Sequence, residues 1–164
     1  MTPEGMELAR RVVSEGTRRG VTVGAAESCT GGMVCAAITS VAGSSAVLRG
    51  GVVSYDPAVK QELLGVSQAI IDEPGVGVVS AECAGQMAQG ACQALGCDLA
   101  VSVTGIAGPG GAEPGKPVGT VWFGLCVRGA VRTVCEHFSG DREAVREQAV
   151  ERALSLLCEG IEQA

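Results

Sequence analysis

A chain of 164 residues has the length of one domain, and a domain of this size buries roughly two-thirds of the surface its unfolded chain exposes, so a core forms without staples. Apolar residues make up 46% of the chain but aromatics only 2%, so that core is filled by Val, Ala, Leu and Ile around close-approaching glycines. A net charge of −6 with no run of Lys or Arg argues against binding nucleic acid through its phosphates, and no apolar stretch approaches the ~20 residues of a membrane span.

Thr2-Pro3-Glu4 lacks the basic region and apolar core of an export signal, so the expected compartment is the cytoplasm and the expected partner a small molecule. Eight cysteines occur with no CxxC pair and a single histidine. They read as reduced thiols packed like small apolar side chains, not as a disulfide framework or a zinc site.

Thr2, Pro3 and Glu4 open a first helix over about residues 3–18, with Met6, Ala9, Val12 and Val13 at helical spacing. Val21 to Ala25 is a short strand that ends in the loop Glu27 to Gly32, and Met33 to Thr39 is free of breakers and helical. Val52 to Tyr55 forms a second strand. Asp56 and Pro57 then supply a cap and a first-turn proline for a helix through about Leu64, with Lys60 one turn inside. Residues 65–79, rich in Gly and Pro, read as loop. Ser80 caps a helix whose Ala84, Met87, Ala88, Ala91 and Leu95 share a face, stopped by Gly96.

Leu99 to Val103 is apolar throughout apart from Ser102, as a strand covered on both faces should be, and it delivers Thr104-Gly105 at its carboxyl end. A Gly/Pro-rich loop covers 107–117. Val118 to Val127 and Val131 to Phe138 form a hairpin around Arg128-Gly129-Ala130, and a last helix follows Ser139-Gly140-Asp141 with Val145, Ala149, Ala153, Leu156 and Leu157 on one stripe. Alternating strands and helices closed by a hairpin predict one domain over 1–164, a three-layer α/β/α fold with a mixed, mostly parallel sheet. Ligands in such sheets bind outside the carboxyl ends of the strands, where the loops 27–32, 54–60 and 104–117 emerge.

The run Gly110 to Lys116 has the spacing of a phosphate-binding P-loop, but position 117 is proline where a hydroxyl should meet magnesium, and a strand follows instead of a helix. Lys116 is left as either an anion contact or a solvated lysine. Ser28 sits between a strand end and a helix start, with Thr30 able to cap and Gly31 and Gly32 able to admit a substrate close to the backbone. On residues alone two readings stand, a pair of capping hydroxyls or a nucleophile beside N–H groups that hold an oxyanion. Cys29 is an alternative nucleophile, though the only imidazole, His137, lies far along a predicted strand. Lys60 is a candidate base if an apolar pocket lowers its pKa, and Tyr55 a candidate proton relay; a surface lysine and a half-buried core tyrosine are the plainer alternatives. Arg142 at a helix N-terminus is mismatched to the dipole unless it meets a phosphate or simply stays exposed.

Five motifs in order carry a resemblance: Ala26 to Gly32, Arg49 to Tyr55 with Lys60, Val103 to Gly111, Lys116 to Val121, and Phe138 to Arg142. Together they resemble the CinA C-terminal domain family over about residues 5–160. The resemblance implies a nicotinamide-nucleotide amidase that converts nicotinamide mononucleotide to nicotinate mononucleotide and ammonia in pyridine-nucleotide recycling, without metal or cofactor. It implies Ser28 as nucleophile with Lys60 and Tyr55 handling protons, and Thr104, Gly105 and Arg142 lining the nucleotide site; the loop N–H groups of Thr30, Gly31 and Gly32 are then expected to meet the substrate and hold its oxyanion. The family leans toward homodimers. The competing reading is a nucleotide-binding or regulatory module that keeps the pocket without turnover.

Overall fold

In the computed structural model, which describes residues 1–164, helix α1 spans Pro3–Arg19 and is started by Thr2, whose Oγ1 accepts the Gly5 N–H (3.0 Å). Strand β1 (Val23–Glu27) leads to α2 (Met33–Thr39). A 3₁₀ turn at Ser44–Ala46 then precedes β2 (Leu48–Val53). Helices α3 (Pro57–Leu64), α4 (Gln68–Asp72) and α5 (Ala81–Leu95) follow, then β3 (Leu99–Gly105), β4 (Thr120–Val127), β5 (Ala130–His137) and α6 (Arg142–Gln163).

The five strands form one mixed sheet in the order β2-β1-β3-β4-β5, with β1 parallel to both β2 and β3, and with β4 antiparallel to its two neighbours. Every strand except β4 therefore runs the same way. Alternate side chains of the central strands feed two separate cores. Val23, Ala25, Val101 and Val103 pack with α1, α2 and α6, whereas Ala26 and Ala100 pack with α3 and α5. These are the three expected layers.

With so few aromatic residues, the layers close by near approach of backbone. A β-carbon on Gly124 of β4 would overlap the Ala84 carbonyl of α5, and Ser102 Oγ donates to that same carbonyl at 2.6 Å. Any side chain at position 124 would lift α5 off the sheet.

The strand boundaries differ from the sequence reading in an instructive way. β1 starts and ends two residues later than predicted, because Thr22 is tied to Asp98, which accepts its N–H and its hydroxyl at 2.8 and 2.7 Å, before the ladder begins. β2 begins at Leu48 and ends before Ser54, running through Gly50-Gly51. A β-carbon on Gly51 would meet Cys35 Sγ, so that glycine marks the close approach of α2 to the sheet, not a chain break. Residues 65–79, predicted as loop, contain the short α4, capped by Ser67. No helix is long and apolar enough to cross a membrane.

The topology places the site. β1, β2 and β3 are adjacent and parallel, so Ser28, Ser54-Tyr55 and Thr104-Gly105 leave the sheet at one edge. The β4-β5 hairpin returns the chain to that edge, where α6 begins at Arg142 behind its Asp141 cap.

Candidate active site

Ser28 follows the last residue of β1 and its N–H still donates to Val103 O of β3 (2.9 Å), which fixes the residue at the sheet edge. Across the β1-β2 pair, Ser54 N–H donates to Glu27 O (2.8 Å) and aligns the start of the next loop beside it. Asp56 accepts the Ala58 N–H at 2.8 Å and with Pro57 sets α3 going at once, so that Lys60, one turn in, points back over the strand ends.

Lys60 is only 1% exposed. Its Nζ donates to Ser28 Oγ at 3.0 Å, to Ser54 O at 2.5 Å and to Tyr55 O at 3.4 Å. Burial lowers its pKa from the ordinary lysine value, and the groups that would oppose this are Cys83, Cys29 and Asp56. The two thiols are themselves pushed up to about 11 by burial, so near neutral pH they carry no charge, and Asp56 is exposed and engaged at the α3 cap. The amine therefore gives up its proton more readily than an exposed lysine does. With two N–H groups directed at the fixed carbonyls of Ser54 and Tyr55, the lone pair of the neutral amine falls toward Ser28.

This pair lies at the floor of a cleft of about 210 Å³ whose wall includes Val78, Val79, Thr104, Gly105 and Ala107 and whose mouth holds Tyr55 and Arg142. The arrangement can take a proton from a serine hydroxyl and return it to a leaving group, the two operations acyl transfer needs.

A model of the CinA C-terminal domain matches residues 5–161. This chain belongs to that family. It is 50% identical over 144 residues to a protein of Enterobacter agglomerans named nicotinamide-nucleotide amidohydrolase PncC, covering 87% of each chain. To the protein of that name in Escherichia coli strain K12 it is 46% identical over 155 residues, 94% of this chain and 93% of the other. The crystal structure of the competence/damage-inducible protein CihA from Agrobacterium tumefaciens superposes with a TM-score of 0.92 at 40% identity, covering 98% of this chain and 97% of that one.

In this CinA domain the predicted positions are distributed unevenly. Ser28, Lys60, Thr104, Gly105, Tyr55 and Arg142 all line the one cleft. Thr104 Oγ1 donates to Val78 O (2.7 Å) and pins the 73–79 segment to the end of β3, which is how that segment comes to supply the apolar wall. Gly105 is glycine because a β-carbon would overlap Thr120 and Val121 of β4, not because a ligand presses on it. Tyr55 differs from expectation. Its side chain is 63% exposed at the mouth and its hydroxyl accepts from Arg142 Nη2 (3.2 Å), so only its backbone carbonyl touches Lys60. Arg142 is also anchored through Nη1 to Gly108 O at 2.8 Å.

No side chain of Thr30, Gly31 or Gly32 contributes to the cleft wall. Gly31 N–H donates to Ser28 O (3.1 Å), and both glycines have positive φ, +61° and +101°, which the reversal from strand to helix requires. The glycines therefore serve the turn. Thr30 is fully buried, its hydroxyl has no partner, and it does not cap α2; the capping position is Gly32, without a side chain.

The cap comes from Glu27, a role sequence reasoning missed. Its buried carboxyl group accepts from Gly32 N–H and Val34 N–H through Oε2 (2.9 and 3.1 Å) and from Cys35 N–H through Oε1 (2.9 Å). An acidic side chain on the orphan donors of a helix N-terminus is favourable, and here it also locks the Ser28 turn between strand and helix. Its signal was an acidic residue ending an apolar strand just before a helix that starts behind two glycines, although Thr30 offered a competing cap. Glu27→Gln puts an NH₂ against one of these N–H groups, and we expect a loss of about 1–3 kcal/mol in urea denaturation.

Three N–H groups at the start of α2 are thus satisfied inside the protein, and those of Cys29 and Thr30 are the ones in this turn that meet no protein acceptor. Cys29 is among the residues around the cleft, but its buried thiol packs in the core and stays protonated at neutral pH, and His137 sits exposed on β5. We expect Cys29→Ala to keep catalytic turnover within a few-fold of the parent, measured as product release under saturating substrate. Lys116 Nζ donates to Val76 O and lies 3.6 Å from Glu113, which ties the 107–117 loop to the cleft wall. All eight cysteines are free.

Proposed function

We propose that this chain is a nicotinamide-nucleotide amidohydrolase that opens the carboxamide of nicotinamide mononucleotide through Ser28, with Lys60 as its base. The observation that carries this reading is the buried Lys60 amine, 3.0 Å from Ser28 Oγ and otherwise fixed on two backbone carbonyls. Neutral Lys60 takes the Ser28 proton as Oγ forms a bond to the carboxamide carbon. The negative charge that develops on the amide oxygen is met by the Cys29 and Thr30 N–H groups. The Lys60 ammonium then protonates the departing nitrogen, ammonia leaves, and a nicotinoyl ester remains on Ser28. Water, deprotonated by Lys60, cleaves that ester, and the serine recovers its proton.

The rest of the cleft suits the remainder of this substrate. Val78, Val79 and Ala107 offer an apolar wall to a pyridine ring. Arg142 uses two of its N–H groups on Tyr55 and Gly108, which holds the guanidinium at the mouth with further donors available to a phosphate. Tyr55 belongs to this mouth and not to the proton transfer. Ammonia release from nicotinamide mononucleotide, compared between the parent and Ser28→Ala, tests the reading directly.

A further inference from the structure

Arg146 lies one turn beyond Arg142 on α6, yet it does not line the cleft. Its guanidinium reaches the Ser28 turn from behind: Nε donates to Cys29 O (3.0 Å) and Nη2 to Thr30 O (3.1 Å). It makes no ion pair. Neighbouring Glu147 is instead held by the N-terminal amine at 3.2 Å. A planar cation with fixed donors is thus directed at two consecutive backbone carbonyls of the turn that carries the serine.

Each carbonyl shares its peptide unit with the next N–H. Cys29 O is bonded to the unit that presents the Thr30 N–H, and Thr30 O to the unit that presents the Gly31 N–H. A cation on a carbonyl oxygen draws electron density along the amide and leaves its N–H a stronger donor, since hydrogen bonds in series polarise one another. The Gly31 N–H is already closed onto Ser28 O, whereas the Thr30 N–H has no acceptor in the protein. Glu27 holds the helix side of the turn and Arg146 the opposite side, so the peptide between Cys29 and Thr30 cannot rotate without breaking one of these clamps.

We infer that Arg146 is a positioning residue that orients and polarises the Cys29–Thr30 peptide, so that the Thr30 N–H receives the oxyanion formed at Ser28. This rests on the reading of Ser28 as the nucleophile. The role is distinct from that of Arg142, which stands at the mouth where the substrate enters.

The test is steady-state ammonia release from nicotinamide mononucleotide by Arg146→Ala and Arg146→Lys, with and without added ethylguanidinium, alongside Ser28→Ala. A misplaced catalytic group costs on the order of 100-fold, and Arg146→Ala should lose about that much in kcat with KM unchanged. Ethylguanidinium should restore turnover saturably, and Arg146→Lys, which reaches only one carbonyl, should fall between. Parental kcat in Arg146→Ala beside an inactive Ser28→Ala would overturn the inference. So would a loss confined to KM, which makes Arg146 a substrate contact, or a loss that neither ethylguanidinium nor lysine relieves, which makes it a structural brace. If Arg146→Ala does not melt cooperatively, the kcat-against-KM comparison in Arg146→Lys decides. Ammonia from Ser28→Ala at the parental rate marks failure of the nucleophile assignment instead.

Discussion

Ser28→Ala is expected to lower ammonia release from nicotinamide mononucleotide by on the order of 10⁴-fold or more while leaving a folded protein, because removing a nucleophile eliminates the covalent route and leaves only binding and the oxyanion donors. The structural cost is small. Ser28 Oγ meets Lys60 Nζ at 3.0 Å, and Lys60 keeps the Ser54 and Tyr55 carbonyls when that hydroxyl is gone. One hydrogen bond is worth about 1 kcal/mol net, a shift of roughly 2–4 °C in Tm for a chain of this size. Substrate affinity should survive, since the apolar wall and Arg142 are untouched. Nicotinamide mononucleotide should therefore still raise the Tm of the inactive variant, which separates a dead catalyst from a damaged cleft. Turnover within tenfold of the parent in a variant that melts normally would remove Ser28 from the chemistry and leave the pocket as a binding site.

The parts of this site that were legible in the sequence are those written locally. Asp56-Pro57 announces a helix start, and that alone places Lys60 one turn in, over the strand ends. The apolar runs ending at Glu27 and Gly105 announce neighbouring parallel strands, and their shared edge brings the loops together. What stayed hidden depends on contacts between distant segments. Arg146 lies on the last helix and its partners on the first loop, and its spacing on α6 is that of any exposed charge. Glu27 looks wrong for a buried strand until the helix N-terminus that satisfies it is in place. Tyr55 reads as a proton relay because it stands five residues from Lys60, but it precedes the Asp56 cap of α3, and there its side chain lies at the mouth while only its carbonyl meets the amine. Gly50 and Gly51 hide the start of β2, because a glycine placed for close packing, as Gly51 is against α2, looks like one that ends a strand.

The pH dependence follows from the burial of Lys60. Because desolvation lowers its pKa, kcat/KM should rise with pH as the free enzyme loses one proton, levelling at a pKa below the ~10.4 of an exposed lysine. Lys60→Met, similar in length and uncharged, should lose that limb and about 10²–10⁴-fold in kcat/KM. Stability carries the same titration with a defined sign. Below the native pKa both states hold the proton, and the native state bears the full penalty of a buried ammonium. Between the native and unfolded values the unfolded chain binds the extra proton, so stability rises with pH, and above the unfolded value the rise ends. The buried thiols act in the opposite direction: Cys29 and Cys83 are pushed up to about 11 in the native state, so the unfolded chain ionises first and stability falls as pH passes the ordinary thiol range. The two trends overlap in the parent, and its urea midpoint alone cannot resolve them. Subtracting the Lys60→Met curve removes the shared thiol contribution and should leave a difference that moves in favour of the parent as pH increases. A flat difference would mean that Lys60 titrates alike in both states, and a base with an unshifted pKa would be almost wholly protonated at neutral pH and unable to take the Ser28 proton.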